Sequence, residues 1–269
     1  MRFYSEEYRL GADDLVSVPF DELTFSYIQE ATNRIFAISN EMDYITLMDS
    51  NFQDFNCDVG SVMADGRVDF KRINCSLSNF FSSFYLWKSY HKHTYCDTFN
   101  DMLKCYRKRN IAFCLGEEMR NYTAHTAFSI TETRYDVIKE LRCYPIKPKM
   151  LLDSAEKQGK ELNSILKKWL KAKEENGELI DAESLVFEFY QICMEMQKEL
   201  WACHIEKIHK DLETIGMFLP EGFSSIYNVS IRSEDQTIHF GVGQIIALFL
   251  KKAVWQYPKF IPDIYVGKF

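Results

Sequence analysis

Residues 70–90 read Phe-Lys-Arg-Ile-Asn-Cys-Ser-Leu-Ser-Asn-Phe-Phe-Ser-Ser-Phe-Tyr-Leu-Trp-Lys-Ser-Tyr, and this stretch decides the fold class. Ile73, Leu77, Phe80, Phe81, Phe84, Tyr85 and Trp87 stand in it, mostly three and four residues apart, which is the period of one helix face. A face so rich in aromatic rings has to be buried, so the spacing predicts a core helix. Working outward, apolar positions at the same spacing predict a helix from Phe20 to about Met48, and the polar run Asn51–Gly66, ending in Asp65-Gly66, reads as a loop. Downstream, Thr94 or Asp97 is placed to cap a third helix through Tyr106, and a fourth is expected from about Asn110 to Ala127. The period changes to two over Phe128–Thr133 and Lys139–Lys147, which predicts a β-hairpin. Lys149–Lys173 and Asp181–Ile215 return to helical spacing, a second short hairpin is expected over Phe223–Phe240, and Gly243–Trp255 reads as a helix. Only 11 Gly and 6 Pro occur in 269 residues, which leaves few turns for a many-stranded fold. The expected fold class is mainly α, a helical bundle with one or two small β-hairpins.

A hydrophobic share of 46 % supplies a real core and excludes disorder for most of the chain. The net charge of −7 conceals a split. Residues 1–66 hold 3 basic and 13 acidic side chains, residues 67–173 hold 21 and 11, and residues 174–269 hold 8 and 15. An acidic protein is a poor non-specific nucleic-acid binder, yet a basic middle third leaves room for a local polyanion site; the alternative is that these charges neutralise one another in the fold. The expected organisation is an acidic N-terminal helical segment over 1–66, a helical domain over 67–215 and a hairpin–helix extension over 216–269. The opening MRFYSEEYRL has no apolar signal region, and the apolar run Ile245–Leu250 stops at Lys251. The eight cysteines form no Cys-x-x-Cys pair and read as reduced thiols, so the expected setting is cytoplasmic, without a membrane partner.

One constellation carries chemistry. The fourth helix contains Glu117-Glu118-Met119-Arg120-Asn121-Tyr122-Thr123-Ala124-His125. Arg120 offers a permanent cation and a fork of donors suited to a phosphate. His125 offers a proton donor or acceptor near neutral pH. Together they suffice to cleave RNA without a metal or cofactor, because the substrate's own 2′-hydroxyl is the nucleophile. Asn121 and His125 are i,i+4 and share a helix face, whereas Arg120 and His125 lie about 140° apart. Arg120 must therefore reach around, or meet a phosphate held by a second subunit. The alternative is that Arg120 pairs with Glu117 while His125 caps or packs. Lys104, Arg107, Lys108 and Arg109, with Lys88 and Lys92, form a basic collar that reads either as an RNA-backbone track or as a solvated helix end. His91, His93 and Cys96 invite a metal reading but lack a second ligand pair.

The segment 119–125 resembles the HEPN superfamily, whose ribonucleases carry Arg-x₄₋₆-His with a polar residue after the arginine, and in particular a bacterial group with Leu-Arg-Asn-Tyr-x-x-His. Met119 stands here in place of the leucine. The wider order over 67–215 is also similar, including Trp169 and the helix start at Leu179-Ile180-Asp181. The resemblance implies a helical bundle, a homodimer with two motifs facing one cleft, catalytic roles for Arg120, Asn121 and His125, and an endoribonuclease acting as a toxin or antiphage-defence effector with a possible antitoxin or regulatory partner. The alternative is a catalytically silent module of the same fold that binds a nucleotide or a protein.

Overall fold

The computed structural model describes residues 3–8, 16–20, 22–61, 68–125, 129–136, 141–202, 228–232 and 237–240. The chain is mainly α-helical. In chain order the elements are β1 (Phe3–Tyr8), β2 (Val16–Phe20), α1 (Glu22–Gly60), α2 (Phe70–Arg109), α3 (Ile111–His125), β3 (Arg134–Asp136), β4 (Leu141–Cys143), β5 (Pro145–Ile146), α4 (Pro148–Lys157), α5 (Ser164–Glu175), β6 (Ile180–Asp181), α6 (Ala182–Ala202), β7 (Asn228–Arg232) and β8 (Thr237–Phe240). Two compact units emerge, one of residues 43–196 and one that joins 1–42 to 197–269. The sequence-drawn boundaries after residues 66 and 215 both fall outside the described residues, as does the expected helix Gly243–Trp255.

In the unit of residues 43–196 the aromatic stretch behaves as its spacing requires. Leu77, Phe80, Phe81, Phe84 and Trp87 are buried, with Phe113 of α3 and Phe189 of α6. Phe189 lies 4.6 Å from Phe84, edge to face, and 5.7 Å from Phe113, stacked, geometries that match the quadrupoles of the rings. Its ring also fills the space beside Gly116, where a Cβ would fall inside the ring's van der Waals envelope. A glycine in mid-helix usually costs about 1 kcal/mol relative to alanine; here its missing side chain lets α6 approach the α3 backbone.

Several helix boundaries differ from expectation. α1 runs on to Gly60, because Phe52, Phe55 and Val59 continue the buried stripe of Ile45 and Met48 through residues whose polar composition had suggested a loop. The expected third helix is present: the backbone leaves helical geometry at Cys96 (φ 42°, ψ −110°), and a second helical stretch of α2 follows from Asp97, with Thr94 donating to the Tyr90 carbonyl instead of capping it. The stretch 149–173 breaks between α4 and α5. There Gly159 (φ 61°) closes a turn in which Lys160 N donates to Ala155 O (2.9 Å) and Gly159 N to Glu156 O (3.0 Å), the double bond of a Schellman stop. Asn163 then starts α5, accepting from Ile165 N and Leu166 N.

The first hairpin is present but shorter and later than expected: β3 pairs with β4, Tyr135 opposite Arg142, while Pro145–Ile146 pairs instead with Ile180–Asp181. The second hairpin, β7–β8 with Ile231 opposite Ile238, is not isolated. It extends a four-stranded sheet, ordered β2-β1-β7-β8, in which the interior strand β1 sets Ser5 opposite Ile231.

Gly116→Ala should therefore destabilise the protein by about 1–3 kcal/mol despite the better helix propensity of alanine, because the buried Phe189 ring has no room to yield. Urea unfolding of the two proteins measures this, and an unchanged or higher midpoint contradicts it.

Candidate active site

α3 is joined to α2 by a single residue. Asn110 donates its N–H to Tyr106 O (2.9 Å), ending α2, and its Oδ1 accepts from Phe113 N (3.1 Å), starting α3. This tight joint sets the motif helix beside α2. Between them, closed on a third side by the α4–α5 loop, lies a cavity of about 330 Å³. Its walls bring together Tyr85 and Lys88 of α2, Arg107, then Glu117, Glu118, Arg120 and Asn121 of α3, and Lys160 and Glu161 of the loop.

Of the residues singled out in the sequence, Lys88, Arg107, Glu117, Arg120 and Asn121 line this cavity. Lys104, Lys108 and Arg109 are exposed and do not line it, and Lys104 pairs with Asp101 at 2.8 Å. His125 is the last residue of α3, one turn beyond Asn121; its side chain lies outside the described residues. His91 is a core residue, fully buried, with Nδ1 2.8 Å from Trp87 O and its ring among Trp87, Tyr95 and Phe99, whereas His93 and Cys96 are exposed. Among the described residues no group of three His, Cys, Asp or Glu side chains could hold a metal ion. Cys203, His204 and His209 lie outside the described residues.

Glu117 does not pair with Arg120. Its carboxylate takes a bidentate bond from Arg107 (Nε to Oε2 2.6 Å, Nη2 to Oε1 2.7 Å) and an ion pair from Lys88. Burial alone would raise the Glu117 carboxyl, but the two cations outweigh it and hold it below the usual carboxylate range. Burial lowers the Lys88 ammonium more than Glu117 raises it, and the nearby positive charges of Arg107 and Lys92 add to the lowering. Bonding to Glu117 raises Arg107 further above its already high value. The neighbouring Cys114 thiol is pushed up to about 11 by burial and by Glu117, so it is no nucleophile at neutral pH.

Arg120 takes a different course. Its guanidinium lies over the Tyr85 ring, 3.8 Å from the centroid, a cation–π contact that fixes the planar group while leaving its donor edge for other partners. Nη1 reaches Asn121 Oδ1 at 3.4 Å, and Asn121 Nδ2 reaches Glu118 Oε2 at 3.5 Å. Glu118 is only 4 % exposed and is paired with Lys160. The arginine thus touches the side chain of the asparagine that follows it in sequence. Four cations and three carboxylates line the cavity, an excess of one positive charge.

No family model matches the chain, and neither does any curated protein or solved structure. The arrangement must therefore be read from its chemistry. It offers a stacked guanidinium, an amide oriented beside it and surplus positive charge in a recess, a combination suited to a phosphate group.

Tyr85, Glu118 and Lys160 escaped the sequence reading. Tyr85 stood inside an aromatic run whose other members are core residues. The signal for Lys160 was its place directly after Gly159, a helix-stop glycine.

Glu117→Gln should destabilise the fold by about 3 kcal/mol by stranding two cations. The wild-type advantage should be present in full above the unfolded carboxyl pKa, about 4.3, and be lost as pH falls through the lower folded value. Urea midpoints of both proteins between pH 7 and pH 3 check this; curves that stay parallel throughout contradict it.

Proposed function

We propose that the protein is a metal-independent endoribonuclease of HEPN type, cleaving RNA by attack of the substrate's own 2′-hydroxyl. One observation carries the reading. Arg120 and Asn121 of the Arg-Asn-x-x-x-His motif line one cation-rich cavity, with His125 a single turn further along the same helix. The resemblance of residues 119–125 to HEPN ribonucleases supports it.

In this mechanism His125 takes the 2′-hydroxyl proton or delivers one to the departing 5′-oxygen. Arg120, held flat against Tyr85, neutralises the phosphorane oxygens. Asn121 orients the phosphate or the histidine. A second His125, supplied across a homodimer, shares the proton transfers. Because Arg120 brings the positive charge that a divalent ion would otherwise bring, no metal is required. The proposed setting is the cytoplasm, with RNA as substrate, a role as toxin or antiphage-defence effector, and an antitoxin or other regulatory protein as the partner to look for. Among the described residues no helix is long and apolar enough to cross a membrane.

Purified protein incubated with mixed RNA in EDTA should yield products with 2′,3′-cyclic phosphate and 5′-hydroxyl ends, detected by mass spectrometry. Arg120→Ala and His125→Ala should each lose about 10²–10⁴ in rate, and Arg120→Lys should fail as well, since a point charge does not replace the fork. A 3′-hydroxyl product, or efficient cutting of a strand lacking the scissile 2′-hydroxyl, overturns the mechanism. RNA that is bound but never cut shifts the reading to a silent binding module. Light scattering tests the dimer: a monomer that still cleaves removes the second histidine.

A further inference from the structure

The cavity holds four cations, but they are not equally available. Lys88 and Arg107 both bind Glu117, a half-buried carboxylate ten residues beyond Arg107. Arg120 and Lys160 remain. Arg120 is stacked on Tyr85, and its hydrogen bond to Asn121 is long, at 3.4 Å. Lys160 has three donors. Its bond to Glu118 uses one, and its side chain keeps 38 % exposure. Glu118 also accepts from Asn121, so Lys160, Glu118, Asn121 and Arg120 form one continuous chain of polar contacts across the cavity wall.

Two features show that Lys160 is placed, not stray. Its backbone is locked by the Schellman stop of α4, with Lys160 N bonded to Ala155 O at 2.9 Å and Gly159 at φ 61° just before it. Its head is drawn inward by a carboxylate that, among the described residues, pairs with no other cation and keeps a second oxygen, Oε1, buried without a hydrogen bond. A buried carboxylate tethered to a single loop lysine is a costly way to stabilise a fold. As a device to hold an ammonium beside Arg120, it has a purpose.

We propose that Lys160 is a further phosphate-binding residue of the site. With Arg120 it forms a two-cation clamp for a phosphodiester of single-stranded RNA, and Glu118 and Asn121 act as positioning residues between the two. The inference rests on the reading of the cavity as an RNA site, but it concerns binding and is separable from cleavage. The guanidinium contributes a planar fork and the ammonium a movable point charge. One grips from α3 and the other from the α4–α5 loop, so an entering strand is held from both sides of the recess.

The probe is a mixed-sequence, fully 2′-O-methylated oligoribonucleotide, which binds but cannot be cut. Its affinity is measured against salt for the full chain, with Lys168→Met of α5 as the control. Lys160→Met should weaken binding about ten-fold and reduce the slope of log affinity against log salt by about 0.7, the loss of one phosphate contact to a single strand, whereas Lys160→Arg should keep most of both. Because Lys160→Met also strands Glu118, the double variant Glu118→Gln/Lys160→Met is measured beside it. A loss that persists in the double variant supports the clamp. A loss that Glu118→Gln rescues means that Lys160 served only to neutralise Glu118, and overturns it. An unchanged salt slope, or no binding by the wild type, overturns it too. A wild type that binds this probe yet leaves unmethylated RNA intact refutes the ribonuclease reading and leaves the clamp to be judged on the binding data.

Discussion

The approach of Phe189 to Gly116 is the constraint on which the rest of the 43–196 unit depends. With no side chain at position 116, the α6 ring lies against the α3 backbone and joins Phe80, Phe81, Phe84 and Phe113 in one aromatic cluster. That contact fixes the rotation of α3 about its axis. Leu115, Gly116, Met119 and Tyr122 turn into the core. At 100° per residue, Glu117, Glu118 and Asn121 are left on the remaining arc. The chemistry of the cavity wall is thus set by the packing of the opposite face, and a polar cluster on one side is only as well ordered as the rings on the other.

Side chains standing in for backbone partners extend this logic. Asn74 sits in the buried face of α2, donating to Phe70 O and Ile130 O and accepting from Ser129 N and Ile130 N. One amide thereby satisfies four groups where a buried stretch of irregular chain runs past the core. Asp181 does similar work at the start of α6, accepting from Tyr144 N and from Ser184. Asn74 thereby positions chain that no ladder holds, and Asp181 ties the end of the β5–β6 ladder to the first turn of α6.

What was legible in the sequence follows from how local the determinants are. The aromatic spacing of 70–90 placed the core helix correctly, since an i,i+3,i+4 pattern needs no knowledge of its partner. The extension of α1 to Gly60 was missed because three apolar residues among Asn and Asp look like a loop, although Phe52, Phe55 and Val59 keep the helical stripe. The α4–α5 break was missed although Gly159 and Asn163 carry its signals. β1 was missed because its other neighbour, β7, begins at Asn228, and pairing at that distance leaves no local pattern beyond alternation. At the site, the motif residues were visible as a motif. That Arg107 answers Glu117 rather than standing in the basic collar, and that Tyr85 carries Arg120, are facts of tertiary approach that neighbouring letters do not encode.

The one-residue joint at Asn110 has a consequence for how the walls of the recess close. Glu117 meets Arg107 across a separation of ten residues, whereas Glu118 meets Lys160 across 42. Loop-closure entropy rises with the logarithm of that separation, so two doublings add about 1.2 kcal/mol to the later contact. The α2–α3 contact is therefore the less costly of the two to close, and it neutralises Glu117. Lys160 arrives only when α4 and α5 dock. The wall between α2 and α3 is thus built from near neighbours in the chain, and the third wall of the recess from distant ones.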